Sequence, residues 1–482
     1  MRTFPWVFLV ACGGADVSTA PVWYGEVDAI VARRCTSCHA EGGLAPQRLD
    51  RYEDVEAARV AVGDAVRDGR MPPWQPGDGC ASYDGNFDLT PAERDRLLEW
   101  VDAGGLEGDP ANASGAEVPA APFPADVELR LPEPYTPDPA LPDDYRCQVV
   151  AWPLAEPAFL TGVRVEPDRV EMVHHTIVYA LDGALADDVA AWDAADPGPG
   201  YACYGGPRPV SAEGSWISGE GLALDPEQVA LALSGEGEAP AGFGIRWLGA
   251  WVPGATTLPF PEGTGLEMSP GALIVVQMHY NTAGTDPLAD QSTILMQTAP
   301  TVERPAAVVP FADVAWVVPE DLPSPLDALL PAEPMMIPAG AVGVTHTTET
   351  VPGQPLESGG LQLAGARRQL GLADDAPLRV HGVAGHMHQL GRSLRLEVER
   401  PDVSTTCLLD LPDWDFAWQG AYQLRDEVAL GSEDVLRMRC VWDNGAEDQP
   451  VINGVQQEPR DVAWGEGTRD EMCLGVLYVT GM

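Results

Sequence analysis

Apolar positions recur at helical spacing in the first hundred or so residues of this chain. Tyr24 to Arg34 reads as an amphipathic helix, and Tyr52 to Asp68 as a second, with Val55, Ala58, Val62 and Val66 on one stripe. Thr90-Pro91-Ala92-Glu93 supplies an N-cap, a proline at the first helical position and a capping-box glutamate. It opens a third helix through Trp100 and Val101, which Gly104-Gly105 ends. From Leu106 to Asp143 Pro, Ala, Asp and Glu dominate with no helical period, which predicts a linker. Beyond it the pattern is that of strands. Short runs such as Leu273-Ile274-Val275-Val276 and Leu394-Arg395-Leu396-Glu397-Val398 predict antiparallel sheets. A small all-α domain followed by a larger all-β part is therefore expected, and 482 residues are enough for about three domains.

Composition changes this picture in two ways. The 46 prolines and 51 glycines fit a turn-rich β architecture. A net charge of -45, from 73 acidic against 28 basic side chains, excludes nucleic acid as a partner, because phosphate contacts need clustered Lys and Arg. The acidity reads most simply as solubility. At the start of the chain, Arg2 precedes an apolar run from Phe4 to Val10, and Leu9-Val10-Ala11-Cys12 resembles the lipobox of a bacterial lipoprotein. Such a signal is cut before Cys12, whose thiol is then acylated. A mis-assigned start or an unprocessed apolar tail is the competing reading of so short a run. No later stretch has the roughly 18 to 20 apolar residues of a membrane span. The expectation is a periplasmic protein, or an outer-membrane lipoprotein facing the periplasm.

Chemistry first enters at Cys35-Thr36-Ser37-Cys38-His39. A Cys-x-x-Cys-His run is what covalent attachment of a c-type haem requires: two thiols that add to the vinyl groups and an adjacent imidazole for the iron. A short zinc or redox Cys-x-x-Cys is the alternative. Met71 is the only methionine between this motif and Met172, and it sits in Gly69-Arg70-Met71-Pro72-Pro73-Trp74, where two prolines disfavour helix. It is the candidate second axial ligand. With three helices around this motif, residues 22–108 resemble a cytochrome c domain.

Five of the seven histidines after the linker fall at three places: His174-His175, His279 and His386-Met387-His388. Positions i and i+2 of a strand share a face, so His386 and His388 can converge on one metal while Met387 points away. Adjacent His174 and His175 can do so only at a bulge or a strand end. His279, taken alone, reads as a packed strand residue as readily as a ligand.

Six stretches in order carry a more specific signal: Asp144-Tyr145-Arg146-Cys147, Val173-His174-His175, Val276-Gln277-Met278-His279-Tyr280, His386-Met387-His388-Gln389-Leu390-Gly391-Arg392, Arg439-Cys440-Val441 and Gly467-Thr468-Arg469-Asp470-Glu471-Met472-Cys473. Through them the region from Asp144 to Met482 resembles the type II copper monooxygenases, the family of peptidylglycine alpha-hydroxylating and dopamine beta-monooxygenases. The resemblance implies two antiparallel, jelly-roll-like β-sandwich domains facing each other across a solvent-filled cleft, each with one copper. It implies an electron-storing copper on His174, His175 and His279, and a dioxygen-binding copper on His386, His388 and Met472. It also implies a Cys440–Cys473 disulfide. Cys147 matches a further half-cystine of the family, but its usual partner position holds no cysteine, and Cys203 is the most available alternative. Cys80 and Cys407 stay unassigned, as do His346 and His381.

The family's peptide hydroxylases hold their substrate carboxylate with an arginine, an asparagine and a tyrosine at positions where this chain has Ala384, Leu474 and Val476. A less polar substrate is expected. The layout expected is a lipoprotein-type signal over 1–12, a cytochrome c domain over 22–108, a linker over 109–143 and copper domains over 144–303 and 304–482. Its function would be hydroxylation of a C–H bond of a small organic substrate by dioxygen. Two coppers and one covalent haem c serve as cofactors, and a periplasmic donor feeds the haem. An electron-transfer or copper-binding redox protein without oxygenase activity is the alternative.

Overall fold

The computed structural model describes residues 20–40, 45, 47–115, 123–141, 143–203, 206–209, 245–252, 260–282, 286–313, 316, 335–352, 360–416, 418–452, 455–465, 467 and 469–482. Cys12 and the rest of the expected signal lie outside them. The chain divides into two compact units, residues 1–74 with 87–121, and residues 75–86 with 122–482.

The first unit is helical. Regular helix runs Asp28–Arg34, Tyr52–Ala57, Arg59–Arg67 and Pro91–Asp102. The helix expected from Tyr24 starts only at Asp28, because Gly25 takes a φ of 93° and Tyr24 is extended. The single helix expected over 52–68 is broken at Ala58, for which the sequence offers no breaker residue. Thr90 forms the expected capping box with Glu93, and Gly104 and Gly105 take positive φ just past the last helix. Trp23, Val27, Ile30 and Val31 pack with Val55, Val66, Leu97 and Trp100 into a small core. The Glu93 carboxylate also accepts from Arg33 and Arg34, so the cap of the last helix ties down the end of the first.

The second unit is built of sheets. An eight-stranded sheet runs in the order Val127–Arg130, Thr293–Ala299, Ala158–Glu166, Thr264–Met268, Arg304–Phe311, Leu474–Gly481, Leu378–His386, Ala421–Leu430. A five-stranded sheet, containing Asp143–Ala151, Leu273–Asn281 and Val173–Leu181, covers its first half. Val178, Ile274, Val276 and Met278 from the one meet Leu129, Leu160, Val165 and Ile294 from the other in a shared core. A four-stranded sheet, containing Gly391–Glu399, Thr405–Leu411 and Val435–Trp442, covers the second half. There Gly385 abuts Leu394 and Leu411 so closely that a Cβ would lie about 3 Å from both.

Two expectations are corrected. The linker expected over 109–143 contains a strand, Val127–Arg130, with Val127 and Leu129 buried and Glu128 and Arg130 exposed. Four residues are too few for the alternation to stand out among prolines and aspartates. The two sandwiches are also not separate: Arg304–Phe311 pairs parallel with Thr264–Met268 and antiparallel with Leu474–Gly481, so one sheet is common to both.

Among the described residues there are three disulfides, and all of them join residues of the second unit. Cys440–Cys473 is the expected bond, Cys147–Cys203 uses the alternative partner, and the two unassigned cysteines, Cys80 and Cys407, bond to each other. None of the described helices is long and apolar enough to cross a membrane.

Candidate metal centres

Register in the five-stranded sheet assembles the first centre. Val173–Leu181 and Leu273–Asn281 are antiparallel neighbours, with His175 opposite His279. The pairing slips between Val173 and His175, so His174 sits at a bulge near the strand's start, which is the condition under which adjacent histidines can converge. The ligand atoms of His174, His175 and His279 all lie within 4.8 Å of one another. The Nδ1 atoms face inward: 3.4 Å separates those of His174 and His175, and 3.2 Å those of His175 and His279. His279 Nε2 donates to Asp143 Oδ1 at 2.9 Å, which leaves Nδ1 as the free lone pair. Tyr145, opposite His279 on the next strand, stacks on its ring at 4.0 Å. Burial first, then neighbouring imidazoles, hold His175 and His279 well below the usual histidine range. Three neutral imidazoles converging on one point are a donor set of the kind that suits a metal cation.

The second centre is assembled differently. His386 ends the strand Leu378–His386, and His388 lies just beyond it, so the pair is not held within one strand as expected. Their rings still meet at 5.0 Å, while Met387 is fully buried. His386 Nδ1 donates to Gln419 Oε1 at 2.6 Å, and His388 Nδ1 donates to the Asp470 carbonyl at 2.9 Å. Both Nε2 atoms are left as lone pairs, the reverse of the first centre. Burial pushes His388 down to about 3, with His386 the next cause. Met472 lines the same cavity as His386 and His388.

One buried carboxylate fixes this arrangement. Glu471 is fully buried and accepts from the N–H groups of His388 and Leu390, at 2.9 and 2.6 Å, and from Trp442 Nε1 at 2.9 Å. Burial drives its carboxyl up to about 7 against those hydrogen bonds. The Cys440–Cys473 bond anchors the residue after Met472. Sequence reasoning gave no role to Glu471, Asp143 or Gln419. Glu471 and Gln419 reach the segments of His386, His388 and Trp442 across 29 or more residues of sequence, so no local spacing reveals them. Asp143 stands one residue before the Asp144 stretch, which was its one available signal.

The two remaining histidines lie elsewhere. His381 is buried between Glu427 and Thr480, and His346 Nε2 donates to the Met336 carbonyl beside Trp316 and Trp442. His381 is thus bonded at both ring nitrogens and His346 at Nε2.

A cavity of about 1020 Å³ is lined by His175 of the first set and by His386, His388 and Met472 of the second. Ala384, Leu474 and Val476, the three apolar departures, line it too, with Ile177, Trp247 and Val309 among other apolar groups.

In the helical unit, Cys35 and Cys38 are free, partly buried thiols on the turn that continues the first helix. Burial pushes Cys35 up to about 12. His39 Nδ1 donates to the Gln47 carbonyl at 2.7 Å, which leaves Nε2 as the lone pair. Met71 follows the helix Arg59–Arg67 by four residues, its N–H bonded to the Ala65 carbonyl.

Residues 373–480 match a family model described as the C-terminal domain of copper type II ascorbate-dependent monooxygenase. No curated protein matches the chain. A chain from the structure of infectious bursal disease virus Gx strain is similar at 10% identity, over 74% of this chain and 74% of its own. Its TM-score of 0.16 is too low to bear on fold or function. The segment that carries His386, His388 and Met472 is thus similar to the C-terminal domain of a family of copper-dependent oxidoreductases.

Proposed function

We propose that this chain is a copper-dependent monooxygenase that hydroxylates a C–H bond of an organic substrate with dioxygen. The observation that carries the reading is the pair of unlike donor sets at one cavity, three imidazoles in one and two imidazoles with a thioether in the other. A redox-inert storage site has no need of two different ligand sets. Imidazole suits copper in both oxidation states and thioether favours the reduced one, so bound copper would supply one-electron chemistry toward dioxygen.

The protein's own residues set the conditions. Asp143, Gln419 and the Asp470 carbonyl fix which nitrogen His279, His386 and His388 present, and burial keeps the rings unprotonated and metal-ready at neutral pH. Ala384, Leu474 and Val476, which line the cavity with Met472, carry no group that can hold a carboxylate, while Arg208, Arg246 and Arg368 also line it. An apolar group fits against Ala384, Leu474 and Val476 better than a peptide acid. Cys35, Cys38, His39 and Met71 are the residues that would hold a covalent haem, which would supply single-electron exchange with an external donor. We place the protein in the periplasm, or tethered there through Cys12, where haem attachment and disulfides are both at home.

A metal and haem count on protein expressed in a periplasm tests the assignment. Two coppers and one covalent haem are expected, with one copper lost in His279→Ala and the other in His386→Ala. Stopped-flow mixing of the reduced, copper-loaded protein with oxygen should reoxidise the haem. Oxygen uptake that no organic substrate raises, across a broad screen, would favour a redox protein without oxygenase activity.

A further inference from the structure

One residue stands between the two donor sets. The Phe416 ring lies 5.0 Å from the His174 ring, tilted by 30°, and 5.9 Å from the His388 ring at 72°. It therefore touches an imidazole of each centre. Phe416 belongs to the connection between Thr405–Leu411 and Ala421–Leu430, and the same connection grips the second centre twice more. Trp414 Nε1 donates to the His388 carbonyl at 3.0 Å, and Gln419 Oε1 accepts from His386 Nδ1. Gln419 Nε2 in turn donates to the Phe416 carbonyl at 3.0 Å, so these contacts form one unit. The connection is braced from outside as well. Gln75 Nε2 donates to the Asp415 carbonyl at 2.9 Å, the Gly77 N–H donates to the Asp410 carbonyl at 2.8 Å, and Cys80 is bonded to Cys407.

From this we infer that Trp414, Phe416 and Gln419 couple the two metal centres, with Phe416 as the shared positioning residue, so that filling one centre raises the affinity of the other. The inference rests on the copper reading above. A metal on His386 and His388 pins both imidazoles, and through Gln419, Trp414 and Phe416 it pins the face of His174. The ordering that the first centre would otherwise need is then already complete. By reciprocity, metal on the three imidazoles assists the second centre by the same factor. Coupling between sites typically amounts to about 5–150-fold in affinity.

The test is a titration of metal-free full-length protein with Cu(I) against a competing chelator, so the readout is binding and not turnover. In the wild type, His386→Ala should weaken the surviving three-imidazole centre by at least about 5-fold. In a Phe416→Ala background, His386→Ala should have no such effect, while the wild-type thermal transition is retained. Phe416→Leu, which keeps most of the packing volume, should retain part of the coupling and guards against an alanine variant that folds poorly. Two independent binding constants in the wild type, or undiminished coupling in Phe416→Ala, would overturn the inference and leave the monooxygenase reading standing. Coupled binding of two coppers without substrate-dependent oxygen uptake would do the reverse. Failure of the wild type to take up two coppers would remove both.

Discussion

The helical unit and the β unit place their chemistry-bearing side chains in opposite ways. In the helical unit two thiols and an imidazole fall within five residues, on a turn that continues one helix, and the bond from His39 Nδ1 reaches only eight residues to Gln47. In the β unit His175 and His279 are 104 residues apart and meet by strand register, while Glu471 holds His388 across 83 residues. A site of the first kind survives wherever its local turn survives. A site of the second kind exists only while the whole sheet arrangement does, and its weak points lie far from its ligands.

The contrast is sharpest at Glu471. Glu471→Ala leaves three buried donors without an acceptor; at about 1–3 kcal/mol each, that is a loss of roughly 3–9 kcal/mol. Urea unfolding should show this as a lowered midpoint, and copper should fall from two to one through loss of the His386, His388 and Met472 set. If the cysteines of the Cys35 turn also changed their reactivity, the two units would not be independent in this sense. Replacing both Cys440 and Cys473 by alanine removes the constraint on the residue beside Met472, at a cost of roughly 2–4 kcal/mol. Denaturant titration would measure it, with copper again lost first from the second set. Asp143→Ala takes away the acceptor that orients His279. Copper affinity of the three-imidazole centre should fall about 10–100-fold by competitive titration, with the second centre less affected.

The smallest effect belongs to the helical unit. Burial opposes ionisation of Glu93, but the Thr90 N–H and the two arginines outweigh it and hold the carboxyl down to about 2. The unfolded chain takes up this proton near the ordinary value of about 4.5, the folded one only near 2. The stabilisation is therefore complete above about 4.5 and is lost as pH falls from there toward about 2. Hydrogen-exchange protection of Pro91–Asp102 should decline across that window and become flat in Glu93→Gln. Thr90→Ala should weaken the same helix by about 1 kcal/mol, read by the same exchange.

How much was legible follows from the range of the forces involved. Thr90-Pro91-Ala92-Glu93 showed its capping box because every bond in it closes within three residues. His386 and His388 were visible as a pair from their spacing, although the strand ends between them. The need for a bulge at His174 was legible, because a regular strand turns neighbouring side chains to opposite faces. That the bulge exists was not, since it depends on pairing with a strand about a hundred residues away. The strand Val127–Arg130 was hidden by its length, and the Cys80–Cys407 bond by a separation of 327 residues with no motif at either end.

By itself, then, the sequence determined the residue types of both donor sets, the helical character of the first unit and the sheet character of the second, because these rest on side-chain chemistry and short-range periodicity. Only the tertiary structure decided that one sheet is common to both sandwiches, which imidazole nitrogen faces each centre, and that Glu471, Gln419 and Phe416 stand behind the ligands. Hydrogen bonds and ring contacts between distant segments form only after register and packing have brought them within a few ångströms, and no local pattern in the chain encodes that proximity.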